Sequence, residues 1–136
     1  MKMPKITALV FATGLTFLPL TVLADGNEKF GESRFKNCQT CHSLEKNKHK
    51  FGPSLFNIVG RKAGSEKTYR YSQAYLTANK MGLVWNEENL ANYLRDPGEF
   101  LATFLSVDAV RPKMMTRIGK DQVREDIVAY LKTLTQ

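Results

Sequence analysis

The chain has 136 residues with 20 basic and 13 acidic side chains, a net charge of +7 and only two cysteines. It shows no internal repeat, no low-complexity segment and no second domain boundary, so one small domain is the limit of what it can form. The basic balance favours acidic partners, but no run of basic residues alternates with aromatics, which argues against nucleic acid.

The first 24 residues stand apart. Lys2 and Lys5 are followed by an almost unbroken apolar run from Ile6 to Leu20, and the segment closes on Val22-Leu23-Ala24. That order suits a secretory signal cleaved after Ala24. Because the run approaches the roughly 17–25 residues of a membrane span, a retained anchor is the alternative. Gly14, Pro19 and the polar Asp25-Gly26-Asn27-Glu28 favour cleavage. The remainder, residues 25–136, holds 18 basic and 13 acidic side chains, a charge of +5.

A short helix is expected over Asn27 to Asn37, with Phe30 and Phe35 apolar and Gly31 four residues before Phe35 on one face. Glycine there either admits a closely packed helix or is a tolerated surface residue. Ser43 to Gly64 has the composition of loop, punctuated by Gly52-Pro53, Gly60 and Gly64. Ser72 to Met81 and Asn86 to Leu94 are expected helices. In the second, Asn86 is a plausible N-cap, Glu87 and Glu88 suit the positive end of the helix dipole, and Asp96-Pro97 stops it. The last helix has the clearest pattern: Val123, Ile127, Tyr130, Leu131 and Leu134 make one apolar stripe. No stretch sustains strand alternation, so the class is all-α with long loops. A domain of this size buries little by itself, and a large apolar cofactor would complete its core.

Cys38-Gln39-Thr40-Cys41-His42 names that cofactor. C-x-x-C-H is the attachment signature for c-type haem. Two thiols three residues apart reach two vinyl groups of one haem, and the following histidine falls beneath the iron as its proximal ligand. A Cys38–Cys41 disulfide would close a very small ring and staple almost nothing. Two other uses of the pair remain open on residues alone. A thioredoxin-like dithiol needs a βαβ setting, which this pattern lacks. A zinc site needs four ligands. Cys38, Cys41, His42 and His49 supply the number, but adjacent Cys41 and His42 would strain a tetrahedron.

From Gly31 to Leu134 the chain resembles class I cytochrome c, particularly the longer bacterial cytochrome c2 type. The matching stretches are Gly31 to Phe35, Cys38 to His42, Gly52-Pro53-Ser54-Leu55, Gly60 to Gly64, Tyr71-Ser72, Trp85, Tyr93-Leu94, Asp96-Pro97 and the final helix. The resemblance implies the small cytochrome c fold, with N- and C-terminal helices crossing and long loops wrapped around one haem. It implies that Pro53 accepts a hydrogen bond from His42, and that Arg61, Tyr71 and Trp85 bond the haem propionates. His49 becomes a structural residue that pins backbone, and Gly31 and Phe35 meet the stripe through Ile127 and Tyr130. Methionine is the family's sixth ligand. Register from Asp126 places it at Met114, with Met115 the alternative and Met81 assigned to the core. The chain departs from short mitochondrial relatives in extra residues between Tyr71 and Trp85 and between Pro97 and Lys113. Its methionine approach is reduced to Arg111-Pro112-Lys113-Met114, with Thr116 where relatives often carry an aromatic.

The implied function is single-electron transfer in a bacterial periplasm by a monomer with no stable membrane insertion after cleavage. Its implied partners are membrane-bound redox complexes: a cytochrome bc1-type donor, and a terminal oxidase or photosynthetic reaction centre as acceptor. Lys36, Lys46, Lys48, Lys50 and Lys113 are candidate docking residues. With both axial positions filled, the iron has no open site for catalysis. The alternatives are a haem enzyme or gas sensor with an open sixth position, and a membrane-tethered cytochrome.

Overall fold

The computed structural model describes residues 26–135; the expected signal segment, 1–24, lies outside the described residues. Helix α1 spans Glu28–Phe35, and the Asn27 side chain caps it by accepting from Phe30 N at 3.1 Å. The chain continues into a single 3₁₀ turn, Cys38–Thr40. A long stretch without helix follows, up to α2 at Gln73–Lys80. Helix α3, Glu87–Arg95, starts at Asn86 as its composition predicts, with the Asn86 side chain accepting from Asn89 N at 2.7 Å.

Asp96-Pro97 does end α3, but it also opens α4, Pro97–Leu105, a helix not among those expected, within the stretch where extra residues were expected. Asp96 is the boundary residue of both helices. Its carboxylate accepts from Gly98 N and Glu99 N, and Pro97 occupies the first helical position, where a missing N–H costs nothing. Leu101 and Ala102 then face the core. The final helix, α5, spans Asp121–Thr133.

Helices α1 and α5 pack closely, and their contact fixes the architecture. A Cβ at Gly31 would lie 1.9 Å from Asp126 O and 2.8 Å from Tyr130 Cβ, so glycine is required for the approach. Phe35 is buried and its ring meets Tyr130 at 5.5 Å between centroids. The Asp126 carboxylate accepts from Asn27 N at 2.7 Å, tying the start of the domain to its last helix. Phe30, by contrast, is 62% exposed and takes no part. The stripe residues Ile127 and Leu131 are buried, and Val123, Tyr130 and Leu134 pack against the same core.

Among the described residues there is no extended sheet, only an isolated antiparallel bridge between Lys62 and Val84. It has a positional role. Gly60 N donates to Trp85 O and Trp85 N to Arg61 O, each at 2.8 Å, so two residues far apart in sequence are held side by side. Among the described residues no helix is long and apolar enough to cross a membrane.

Candidate haem site

Immediately after α1, the 3₁₀ turn folds the motif on itself: Cys41 N and His42 N both donate to Cys38 O, at 3.1 and 2.9 Å. Both thiols are free, Cys38 half-buried and Cys41 exposed. Burial, followed by the neighbouring Cys41, pushes the Cys38 thiol up, so it stays protonated.

The His42 ring is fixed on one edge. Its Nδ1 donates to Pro53 O at 2.7 Å, which commits the proton to Nδ1 and leaves the Nε2 lone pair for a metal. Gly52 makes room for that ring, since a Cβ there would lie 2.2 Å from His42 Cε1. Gly52 N also donates to Cys41 O at 2.8 Å, closing the loop onto the motif. Burial holds the imidazole's proton affinity below its ordinary value. The Pro53 carbonyl opposes this, and the charges of Arg61 and Lys50 reinforce it. The ring is therefore neutral, the form that ligates iron.

Arg61 is built into the same loop. Its Nη1 donates to Phe56 O and Glu66 Oε1, both at 2.7 Å, and Nη2 donates to Ser54 O at 2.8 Å. Its Nε is buried and has no partner. Ser72 Oγ is in the same condition. Ser72 occupies the N-cap of α2, where a serine side chain usually accepts from the first turn, yet it makes no such bond. Tyr71 is half-buried, with its ring edge on Tyr69 at 4.9 Å. Trp85 is buried, 4.9 Å from the Tyr93 ring and 6.0 Å from Phe100. Arg61 and Trp85 are thus brought together through the backbone pairing. Ser72 is the residue whose role the sequence did not reveal, although a serine opening a helix is a visible signal.

His49 is occupied on both nitrogens: Nδ1 accepts from Ser54 N at 3.0 Å and Nε2 lies 2.8 Å from Thr68 Oγ1. It pins two loops, and no group of three or more metal-ligating His, Cys, Asp or Glu side chains exists among the described residues.

Of the methionines in the described part, Met114 is half-buried and packs against the hydrophobic core. Met115 is 66% exposed. Met81, expected in the core, is 53% exposed because it caps the C-terminus of α2, beyond the last turn that faces inward. The Met114 segment is tied down on both sides. Lys113 Nζ donates to Arg70 O at 2.7 Å, Ile118 N donates to Leu94 O at 2.8 Å, and Arg117 pairs with Asp96 at 2.9 Å.

A haem fits these residues. Two free thiols in one turn, a neutral imidazole with Nε2 available, a core-packed thioether and two buried unpaired donors are what a covalently held, carboxylate-bearing porphyrin requires. A buried donor without a partner costs about 1–3 kcal/mol, which a propionate accepting from Arg61 Nε or Ser72 Oγ would relieve.

Comparison with known proteins agrees. The family model described as Cytochrome c matches residues 24–135. Cytochrome c2 of Rhodopseudomonas palustris is 38% identical over 135 residues, covering 95% of this chain and 96% of that protein. Cytochrome c2 of Rhodospirillum rubrum is 36% identical, covering 98% of this chain and 99% of its own. The solved structure of cytochrome c2 from Rhodospirillum centenum superposes with a TM-score of 0.77 at 34% identity, covering 82% of this chain and 100% of that one. With that agreement in sequence, fold and donor set, the chain belongs to the cytochrome c family, as a cytochrome c2-like electron carrier with a covalently attached c-type haem.

Proposed function

We propose that Cys38 and Cys41 would hold the haem through thioether bonds, that His42 Nε2 and Met114 Sδ would ligate its iron, and that residues 25–136 form a periplasmic carrier released from the signal peptide 1–24. The bound haem supplies the one-electron couple, and the chain's own residues set its conditions. Pro53 holds the His42 tautomer, a constraint that also raises the ring's basicity as a ligand. Arg61, Tyr71, Trp85 and Ser72 bond the propionates. Methionine as a ligand raises the potential relative to a second histidine. With His42 and Met114 both ligating the iron, peroxide and oxygen would meet no open site, which favours a carrier over an enzyme.

The partners are membrane-bound redox complexes, a cytochrome bc1-type donor and a terminal oxidase or photosynthetic reaction centre acceptor, met by a single copy of the chain. Lys36, Lys46, Lys48, Lys50 and Lys113 are all exposed. Lys48 pairs with Glu45, Lys50 reaches Gln39 O within the motif, and Lys113 sits over the Tyr69 ring at 5.8 Å. Lys50 and Lys113 are therefore anchored, and anchored charges are well placed to steer a weak redox encounter.

The observation that carries this reading is the His42 Nδ1–Pro53 O hydrogen bond, which leaves one lone pair and one role for the ring. The test is the near-infrared spectrum of the ferric protein. Met114→Ala loses the iron–methionine band and admits imidazole, whereas Met115→Leu keeps it, since leucine and methionine have similar volume. Loss of the band in the Met115 variant alone moves the ligand by one residue. Its absence from the unmodified protein favours the open-site enzyme or sensor.

A further inference from the structure

Phe51 is the most exposed of the large apolar side chains among the described residues, at 88%. A single exposed phenylalanine needs no explanation by itself. Its backbone, however, is held on both sides. Tyr69 Oη donates to Phe51 O at 2.7 Å, Gly52 N donates to Cys41 O at 2.8 Å, and Lys50 N donates to Gly52 O at 3.1 Å. The Lys50 side chain reaches Gln39 O. Phe51 is therefore displayed by a loop tied to the Cys38 to His42 motif, and with Thr40 and Lys50 it lines an open depression there.

The charge around it is mostly of one sign. Lys46, Lys48 and Lys50 are exposed on the same loop, where the one acid is Glu45, already paired with Lys48. Such charges act before contact: they raise the rate of encounter and weaken with salt. At the rim of a docked complex they stay solvated and hold it only weakly. An aromatic side chain does the reverse. It contributes nothing until contact, then gains by leaving water, and interface hot spots are enriched in aromatic residues enclosed by a rim that excludes water. A ring carried on a fixed backbone also has less freedom to lose on binding.

Resting on the carrier reading above, we propose that Phe51 is the apolar anchor of the docking surface, and that Tyr69 is a positioning residue that fixes it through the Phe51 carbonyl. The partner it fits is a membrane-bound redox complex whose water-facing side offers an apolar recess bordered by carboxylates. The lysines govern arrival, and Phe51 governs departure.

The test measures association and dissociation rates of the haem-loaded protein on an immobilised, detergent-solubilised cytochrome bc1-type complex at several salt concentrations. Phe51→Ala raises the dissociation rate about tenfold and leaves the association rate and its salt dependence in place. Its Tm is unchanged, because the side chain is already in water. Reversing Lys46, Lys48 and Lys50 to Glu does the opposite and slows association. Tyr69→Phe keeps the ring beneath Lys113 but loses the hydroxyl. It raises dissociation by a smaller factor, and has no effect in a Phe51→Ala background; an equal effect in both backgrounds overturns the positioning role. An unchanged dissociation rate in Phe51→Ala, with the lysine variant still slowed, overturns the anchor and spares the carrier reading. If the lysine variant is unaffected as well, the basic docking face fails and the anchor falls with it. Two other occupants would also overturn the proposal. If Phe51→Ala weakens capture by protein-free anionic vesicles and not by the complex, the ring serves a membrane surface; if it abolishes a dimer seen in sedimentation, the ring serves a second copy.

Discussion

Replacing Gly31 by alanine sets two effects of opposite sign against each other. Inside a helix, alanine is favoured over glycine by about 1 kcal/mol, so propensity alone predicts a more stable protein. Packing predicts the reverse. The added Cβ would stand 1.9 Å from Asp126 O, 2.6 Å from Asp126 C and 2.8 Å from Tyr130 Cβ, all inside the 3.0 Å that real Cβ contacts essentially never cross. Two of these atoms are α5 backbone and cannot rotate away, so the helices must separate. Separation weakens the Asn27 N–Asp126 hydrogen bond and the Phe35–Tyr130 ring contact. Overpacking costs about 1–3 kcal/mol, the ring pair contributes about 0.5–1.5 kcal/mol, and the lost hydrogen bond about 1 kcal/mol. After the propensity gain, the expected destabilisation is about 2–3 kcal/mol, a fall in Tm of roughly 10 °C for a domain of this size. Thermal unfolding of the haem-loaded protein, followed by far-ultraviolet circular dichroism, measures it. As a control, alanine at Gly119, where a Cβ meets nothing within 4 Å, leaves Tm in place. An unchanged or raised Tm for the Gly31 variant would refute the close crossing of α1 and α5.

Two further outcomes follow from charge. The Asp96 carboxyl is held below its ordinary range, first by the Glu99 N–H and then by Arg117 and Gly98 N. A lowered folded-state value means that its contribution to stability is present above the unfolded carboxyl's range and is lost as pH falls through the folded value. Asp96→Asn, which still caps α4, should therefore be less stable than the unmodified protein at neutral pH and match it in strong acid, as equilibrium denaturation at several pH values will report; a constant difference would mean that charge is not the cause. Reversing Lys46, Lys48 and Lys50 to Glu should slow association with an acidic redox partner, leave turnover at saturation nearly unchanged and weaken the dependence on salt, since exposed charges are screened within about 8–10 Å. A stopped-flow rate indifferent to ionic strength would count against basic docking.

The parts of the fold legible in the sequence are those where one periodic pattern governs a whole element. The α5 stripe, the Asn86 cap and Gly31 each state a local requirement that the tertiary structure meets. Helix α4 was not legible because Asp96-Pro97 carries two meanings at once, a stop for the preceding helix and a cap plus first residue for the next. Phe100, Leu101, Phe104 and Leu105 beyond it have helical spacing, the signal that would have found it. Met81 was misplaced because an apolar residue at a helix end has no partner of its own to fix which side it faces. At the site, the spacing of Cys38, Cys41 and His42 points to haem, and the resemblance along the rest of the chain narrows the uses that the motif by itself leaves open. Ser72 does not point to it, since its significance lies in a buried hydroxyl left without a partner, and sequence spacing carries no record of that.

The crossing of α1 and α5 joins residues 99 positions apart, and this has a temporal consequence. A ribosome makes the chain from its N-terminus, so Cys38 to His42 exist long before Asp121–Thr133. Until those last residues appear, α1 has nothing to close against, and the thiols lie on an unlocked strand of polypeptide. The linear order of the gene thus makes the final helix the last piece of the crossing to arrive, the latch that closes the domain on its own beginning.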